Sequence, residues 1–72
     1  MSELRIDMPS QIACVRREIS MRKRVYPRWV STGRMSQQKA DEEIVAMTEV
    51  LATLERLHQM SKVIDDLERA MG

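Results

Sequence analysis

Apolar residues recur at helical spacing in two segments of this chain, and a short polar segment separates them. In the first segment they stand three, four or seven residues apart, at Ile12, Val15, Ile19, Tyr26 and Val30. In the second they alternate between steps of four and three, at Ala40, Ile44, Met47, Leu51 and Leu54. Such spacing places side chains on one face of an α-helix. The pattern therefore predicts two amphipathic helices and no strand.

Helix-capping residues mark the ends of the two segments. Pro9 suits an early helical position, and Ser10 is a residue type that caps helix N-termini. Gly33 tolerates the positive φ that commonly ends a helix, and Ser36 is a good N-cap for the helix that follows. A connection this short favours an antiparallel helical hairpin.

These signals predict an all-α protein with a single helical-hairpin domain over residues 1–72. Its parts are an N-terminal arm (1–9), a basic helix one (10–32), a turn (33–36) and an acidic, long helix two (37–70).

Both bulky rings of the chain stand close to the turn. Tyr26 and Trp29 flank Pro27 in the sequence YPRWV. Proline lacks the N–H of a helical hydrogen bond, so Pro27 predicts a kink or a short separate turn. We expect Tyr26 and Trp29 to pack where the hairpin closes, with their polar atoms at its rim. The alternative is that the rings stack on a ligand or a base.

The apolar pattern of helix two continues beyond the reach of helix one. After Leu54 it steps three residues and proceeds through Leu57, Met60, Ile64, Leu67 and Met71. If the hairpin closes at residues 33–36, Ser10 lies opposite roughly residue 58, so these five residues extend past the start of helix one. The step of three predicts that they turn toward a different neighbour.

Helix one has a second apolar face of its own. At 100° per residue, Cys14, Met21 and Val25 lie almost opposite its main apolar face. A helix that is apolar on two sides is covered on both. With the distal residues of helix two, this predicts a partner interface and a homodimer of hairpins in a four-helix, coiled-coil-like arrangement.

Charge is divided unequally between the two halves. Residues 1–35 hold eight Arg and Lys against three acids, and residues 36–72 hold four against eight. The halves could attract each other, or the basic half could contact nucleic acid. The residues proposed for phosphate contact are Arg17, Lys23, Arg24 and Arg28.

Little in the chain indicates catalysis or a cofactor. His58 and Cys14 are single residues of their kind, and no phosphate loop or oxyanion element accompanies them. Glu55 and His58 match the Glu-x-x-His pattern of di-iron bundles, but helix one adds only Glu18 as a further ligand. We therefore predict no enzyme, no metal and no cofactor. His58 is interpreted as a polar residue at the helix interface or as an exposed one.

Composition predicts a soluble protein of a reducing compartment. The lone cysteine excludes an internal disulfide, and no run of apolar residues has the length of a membrane span. Seven methionines and two aromatic residues indicate an adaptable, shallow core, which favours association with another molecule.

Close to half of the chain carries a recognisable pattern. Residues Arg16 to Met47 read R-R-E-I-x-M-R-x-R-V-Y-P-R-W-V-x-x-G-R-M-x-x-x-K-A-D-x-E-I-x-x-M. This resembles a group of short helical proteins encoded by tailed phages and prophages. The resemblance implies a setting, the cytoplasm of a bacterial host, and neither an activity nor functional residues.

Two functions are compatible with these observations. The first is a small phage-type interaction protein that self-associates and binds or modulates a host or phage protein. The second is an accessory protein that binds nucleic acid through the basic face of helix one.

Overall fold

Two α-helices form the whole of the described structure. The computed structural model describes residues 6–72, in which helix α1 spans Met8–Ser31 and helix α2 spans Gln37–Met71. The helices pack against each other as a hairpin, and residues 6–72 contain no strand. The predicted all-α hairpin is therefore confirmed. Residues 1–5 of the predicted arm lie outside the described residues.

Helix α1 begins two residues earlier than predicted, and its cap is Asp7 rather than Ser10. The Asp7 carboxylate accepts a hydrogen bond from the backbone N–H of Ser10, with an O–N distance of 2.9 Å. Hydrogen bonding to Ser10 favours the ionised carboxylate and holds the pKa of Asp7 below its usual value. Both residues are good capping types. The capping position falls on Asp7 because Pro9 then occupies the second position of the helix.

Pro27 does not divide helix α1. The helix is continuous from Met8 to Ser31, so the predicted alternative of a separate turn after Tyr26 is wrong. Pro27 stands near the C-terminal end, where the loss of one hydrogen bond interrupts little of the helix. The side chain of Tyr26 is buried against α2, which fixes the chain just before the proline.

The turn between the helices follows a Schellman arrangement. Gly33 has a φ of 80°, its N–H donates to the carbonyl of Val30, and the Arg34 N–H donates to the carbonyl of Trp29. Helix α2 then begins with Ser36 as its N-cap, and the Ser36 hydroxyl accepts from the backbone N–H of Lys39 at 3.0 Å. The predicted roles of Gly33 and Ser36 are confirmed.

The positive φ of Gly33 leads to a stability prediction. We expect Gly33→Ala to lower the free energy of unfolding by about 1 kcal/mol, since an L-residue is strained at this φ. No atom lies within 4 Å of the added Cβ, so the whole effect is backbone strain. Gly33→Asn is the control, because asparagine tolerates positive φ better, and it should lose less. Thermal unfolding followed by circular dichroism measures both; equal losses would contradict the conformational explanation.

The core of the hairpin is small and one layer deep. Only Ile12, Ile19, Tyr26 and Ala40 are buried among the described residues. Around them lie half-buried apolar side chains from both helices: Val15 and Val30 on α1, and Ile44, Met47, Leu51 and Leu54 on α2. The apolar face predicted for α2 up to Leu54 therefore meets α1. Eleven large apolar side chains of residues 6–72 remain exposed outside this core.

The open end of the hairpin lies near His58. A cavity of about 370 Å³ there is lined by Ile12 and Arg16 of α1 and by Glu55, His58 and Gln59 of α2, together with Pro9. Arg16 forms an ion pair with Glu55 across the two helices. The start of α1 is thus opposite residue 58, as the sequence predicts, and α2 continues for about thirteen further residues without α1 beside it.

Candidate functional site

The distal residues of α2 form an exposed apolar surface. Leu57, Met60, Ile64, Leu67 and Met71 are all exposed, from 48% at Leu57 to 84% at Met71. Every residue from Gln59 to Gly72 is exposed, because no other element of residues 6–72 covers this part of the helix. These five residues are the ones that the sequence assigns to a partner interface.

This surface is longer than the five residues predicted from the sequence. Continuing the same spacing backwards from Leu57 reaches Thr53, Val50 and Ala46, which are also exposed. We name the full set the α2 stripe: Ala46, Val50, Thr53, Leu57, Met60, Ile64, Leu67 and Met71. Its steps are four and three in strict alternation, which is the a/d pattern of a coiled coil.

The α2 stripe changes the interpretation of the predicted three-residue step after Leu54. The line of residues that meets α1 does not turn at this point but ends at His58, which is half-buried opposite the start of α1. Each position of the α2 stripe from Ala46 to Ile64 lies six residues after a position of that line. Six residues correspond to about 120° around a helix. A helix packed on the α2 stripe would therefore leave α1 in place.

A second apolar surface lies on the flank of α1. A shallow cavity of about 230 Å³ is lined by five residues, which we name the α1 patch: Met21, Arg22, Val25, Tyr26 and Trp29. Met21 and Trp29 are exposed, and Val25 is half-buried. Of the predicted interface residues of helix one, the structure brings Met21 and Val25 together. Cys14, also exposed, lies two turns before Met21 and does not line the cavity.

The two rings near the turn differ in their exposure. Tyr26 is 9% exposed and packs in the core, as predicted, whereas Trp29 is 37% exposed. Their ring centroids are 5.7 Å apart with the planes tilted by 35°. The expectation that both rings pack where the hairpin closes therefore applies to Tyr26, whereas the side chain of Trp29 is exposed. The position of Trp29, four residues after Val25, continues the flank of α1 and carries its ring to the α1 patch.

Polar contacts hold the rim of the α1 patch. Arg22 forms an ion pair with Glu18 one turn earlier on α1. The hydrogen bond to Glu18, with a smaller contribution from Tyr26, raises the pKa of Arg22 above its usual value. Its guanidinium therefore stays charged, and its aliphatic part adds apolar area beside Val25 and Trp29.

The four predicted phosphate-contacting residues are exposed on α1. Arg17, Arg24 and Arg28 stand seven and four residues apart and share the side of α1 that faces away from α2, while Lys23 lies on an adjacent side. The basic residues that form ion pairs within residues 6–72 are Arg16, Arg22, Lys39 and Arg69.

Few ion pairs join the basic half of the chain to the acidic half within residues 6–72, so attraction between the halves does not explain why their charges differ. Within residues 6–72, Arg16–Glu55 is the ion pair that joins the two helices, and the other pairs lie within one helix. The basic side of α1 formed by Arg17, Arg24 and Arg28 is directed to solvent.

The residues considered for chemistry are placed apart. His58 is half-buried at the open end of the hairpin, and Cys14 is exposed. Within residues 6–72, no group of three or more His, Cys, Asp or Glu side chains is arranged to hold a metal ion. Glu55 of the Glu-x-x-His pattern is paired with Arg16 instead.

The first three members of the α2 stripe and the exposure of Trp29 were not predicted from the sequence. A regular four-and-three spacing back to Ala46 is visible in the sequence. Ala46 and Thr53 obscure it, because one is small and the other is polar.

No helix within residues 6–72 combines the length and the apolar character needed to cross a membrane. Comparison of the chain with protein-family models, with curated proteins and with solved structures gave no match.

Proposed function

We propose that this chain is a non-enzymatic interaction protein that pairs with a second copy and binds another protein, of phage or bacterial origin, in the bacterial cytoplasm. The observation that carries the proposal is the exposed α2 stripe, which runs along about seven turns of α2 in alternating a/d positions, whereas residues 6–72 bury only four side chains in their core. Exposed apolar surface of this extent is typical of sites where proteins associate.

The two apolar surfaces support two different contacts. The α2 stripe is long, straight and regular, which suits a partner helix. The α1 patch is compact and contains Trp29 and Arg22, residue types that are enriched among those that dominate binding energy at interfaces. Self-association is assigned to the α2 stripe, and binding of a second protein is assigned to the α1 patch.

Capture of a bacterial protein from lysate tests the binding function. We expect immobilised wild-type protein to retain a specific partner at high salt, and Trp29→Ala to weaken retention by about 30-fold, as for an interface residue worth about 2 kcal/mol. Val45→Ala is the matched control, because Val45 is 57% exposed on α2 and outside both surfaces. Equal retention by both variants would show that the α1 patch is not part of the binding site.

A second candidate function is nucleic-acid binding through α1. The observation in its favour is the exposed row of Arg17, Arg24 and Arg28 on the side of α1 away from α2. Three guanidinium groups along about sixteen ångströms of helix are spaced to follow a phosphate backbone.

Salt-dependent retention on DNA distinguishes this candidate from the first. If α1 binds phosphates, replacing Arg17, Arg24 and Arg28 with glutamine should reduce the slope of log affinity against log salt by about 3 per chain. The control is the same number of substitutions at Arg34, Lys39 and Arg56. Binding that is absent, or equally changed in both variants, would reject the role of the α1 row.

A further inference from the structure

The C-terminal third of α2 has no tertiary support within residues 6–72. All residues from Gln59 to Gly72 are exposed, and α1 begins only opposite residue 58. An isolated helix of this length is marginal in water, because most helical stability in proteins comes from packing of an apolar face. The segment that α1 leaves bare carries the last four residues of the α2 stripe, all of them large and apolar: Met60, Ile64, Leu67 and Met71. Its partner must therefore be sought outside the hairpin.

We propose that two copies of this chain pair antiparallel along the α2 stripe, with the two-fold axis between Leu57 and Met60. This inference rests on the self-association in the proposed function and adds its orientation and register. The midpoint of the eight positions lies between residues 58 and 59. An axis at that midpoint places every position of the α2 stripe opposite another position of the α2 stripe.

In the resulting layers, each of the smaller residues Ala46, Val50 and Thr53 meets a larger side chain, and the central layer joins two large ones. Val50 meets the partner's Leu67, Thr53 meets the partner's Ile64, Leu57 meets the partner's Met60, and Ala46 meets the partner's Met71. Alternation of large and small residues across facing positions is what allows layers to interdigitate. A parallel pair would instead place Ala46 against its own copy and Thr53 against its own copy, leaving two weak layers.

Tertiary support also favours the antiparallel orientation. Residues 46–58 of each α2 are backed by α1, whereas residues 59–71 are bare. With the axis between Leu57 and Met60, the bare segment of one copy lies on the supported segment of the other. In a parallel pair the two bare segments would pack only on each other, and α1 would support neither of them.

Charge along α2 favours the same orientation. Residues 37–55 carry five acids and one base, and residues 56–71 carry three of each. A parallel pair would bring the two acidic halves together, with like-charge repulsion. The antiparallel pair separates the two acidic halves, because residues 37–45, which hold three of the five acids, extend beyond the end of the partner's α2, and it also opposes the two helix dipoles.

The area of the α2 stripe is sufficient for a stable pair. Its six apolar residues larger than alanine are between 47% and 84% exposed. At about 100 Å² each they present roughly 600 Å² per chain and roughly 1,200 Å² in the pair, which reaches the lower end of the range for specific interfaces.

Distances between spin labels test the orientation on the full chain. Cys14→Ser removes the native thiol, and Thr48→Cys or Gln59→Cys then carries one nitroxide label per chain; both positions are exposed and lie on a similar side of α2. The antiparallel pair separates the two labels at residue 48 by about 32 Å along the helix axis, and those at residue 59 by about 2 Å. A parallel pair gives similar distances at both positions, because it adds no separation along the helix axis.

Dipolar coupling and sedimentation together decide the outcome. A long distance at residue 48 with a short one at residue 59 supports the proposal. Similar distances at both positions overturn the orientation while self-association stands. A change of about 10 Å in the axial separation of the labels at residue 48 overturns the register, because it corresponds to a slip of one heptad. A monomeric mass without coupling overturns this inference together with self-association.

Discussion

The double variant Ile64→Asp/Leu67→Asp is expected to sediment as a monomer at concentrations where the wild-type protein is a dimer. Both residues lie in the bare part of the α2 stripe and are about half exposed, at 49% and 56%. Loss of their apolar contact from both copies removes on the order of 5 kcal/mol, and each buried carboxylate adds a desolvation cost. A change of 5 kcal/mol corresponds to more than a thousandfold in the dissociation constant.

The matched control for this variant adds the same charge away from the α2 stripe. Val45→Asp/Gln59→Asp introduces two carboxylates at exposed positions of the same helix, and it should remain dimeric. Circular dichroism should show that the hairpin up to residue 58 persists in both variants. A wild-type protein that is already monomeric at high micromolar concentration would contradict self-association. The α2 stripe would then be an open site for the helix of a different protein.

Ile19→Ala is expected to lower the free energy of unfolding by roughly 2–5 kcal/mol, the range for removing a buried aliphatic side chain. Ile19 is 8% exposed and is one of four buried residues within residues 6–72. A core this small has few neighbours that can collapse into the space left behind. Because single small domains are stable by only about 5–15 kcal/mol, this one change should remove a large part of the total.

Val45→Ala provides the reference for this measurement. Val45 is a β-branched residue on α2 with 57% exposure, so its truncation should change stability by less than about 1 kcal/mol. Both variants must be melted at the same protein concentration, because self-association makes the melting temperature depend on concentration. A melting curve of Ile19→Ala that coincides with that of Val45→Ala would show that the hairpin core contributes little to stability.

The hairpin was predictable because its signals are local. Gly33 and Ser36 mark the turn through backbone conformation and capping, and the four-and-three spacing from Ala40 marks the face toward α1. The first turn of α1 was harder to place, since Asp7 and Ser10 are equally suited to cap a helix. Pro27 was misjudged as a possible break, because the effect of proline depends on its distance from the helix end and on the burial of Tyr26.

The interaction surfaces were only partly predictable, for a different reason. Periodicity identifies apolar faces but does not show which face meets the other helix. In the region from Ala46 to Leu57 two apolar lines run side by side on α2, and burial alone separates them. The outward orientation of Trp29 depends on how α1 is rotated against α2, and a single sequence carries no direct record of that rotation.

The shallow core also bears on how this kind of protein changes over evolutionary time. Four buried residues, Ile12, Ile19, Tyr26 and Ala40, are the positions within residues 6–72 where volume is tightly constrained. Substitutions at exposed positions away from caps and interfaces usually alter stability by less than about 0.5 kcal/mol. Selection for folding alone therefore allows most surface residues to be substituted. If residues of the α2 stripe or the α1 patch change little during evolution, the constraint on them has to come from binding.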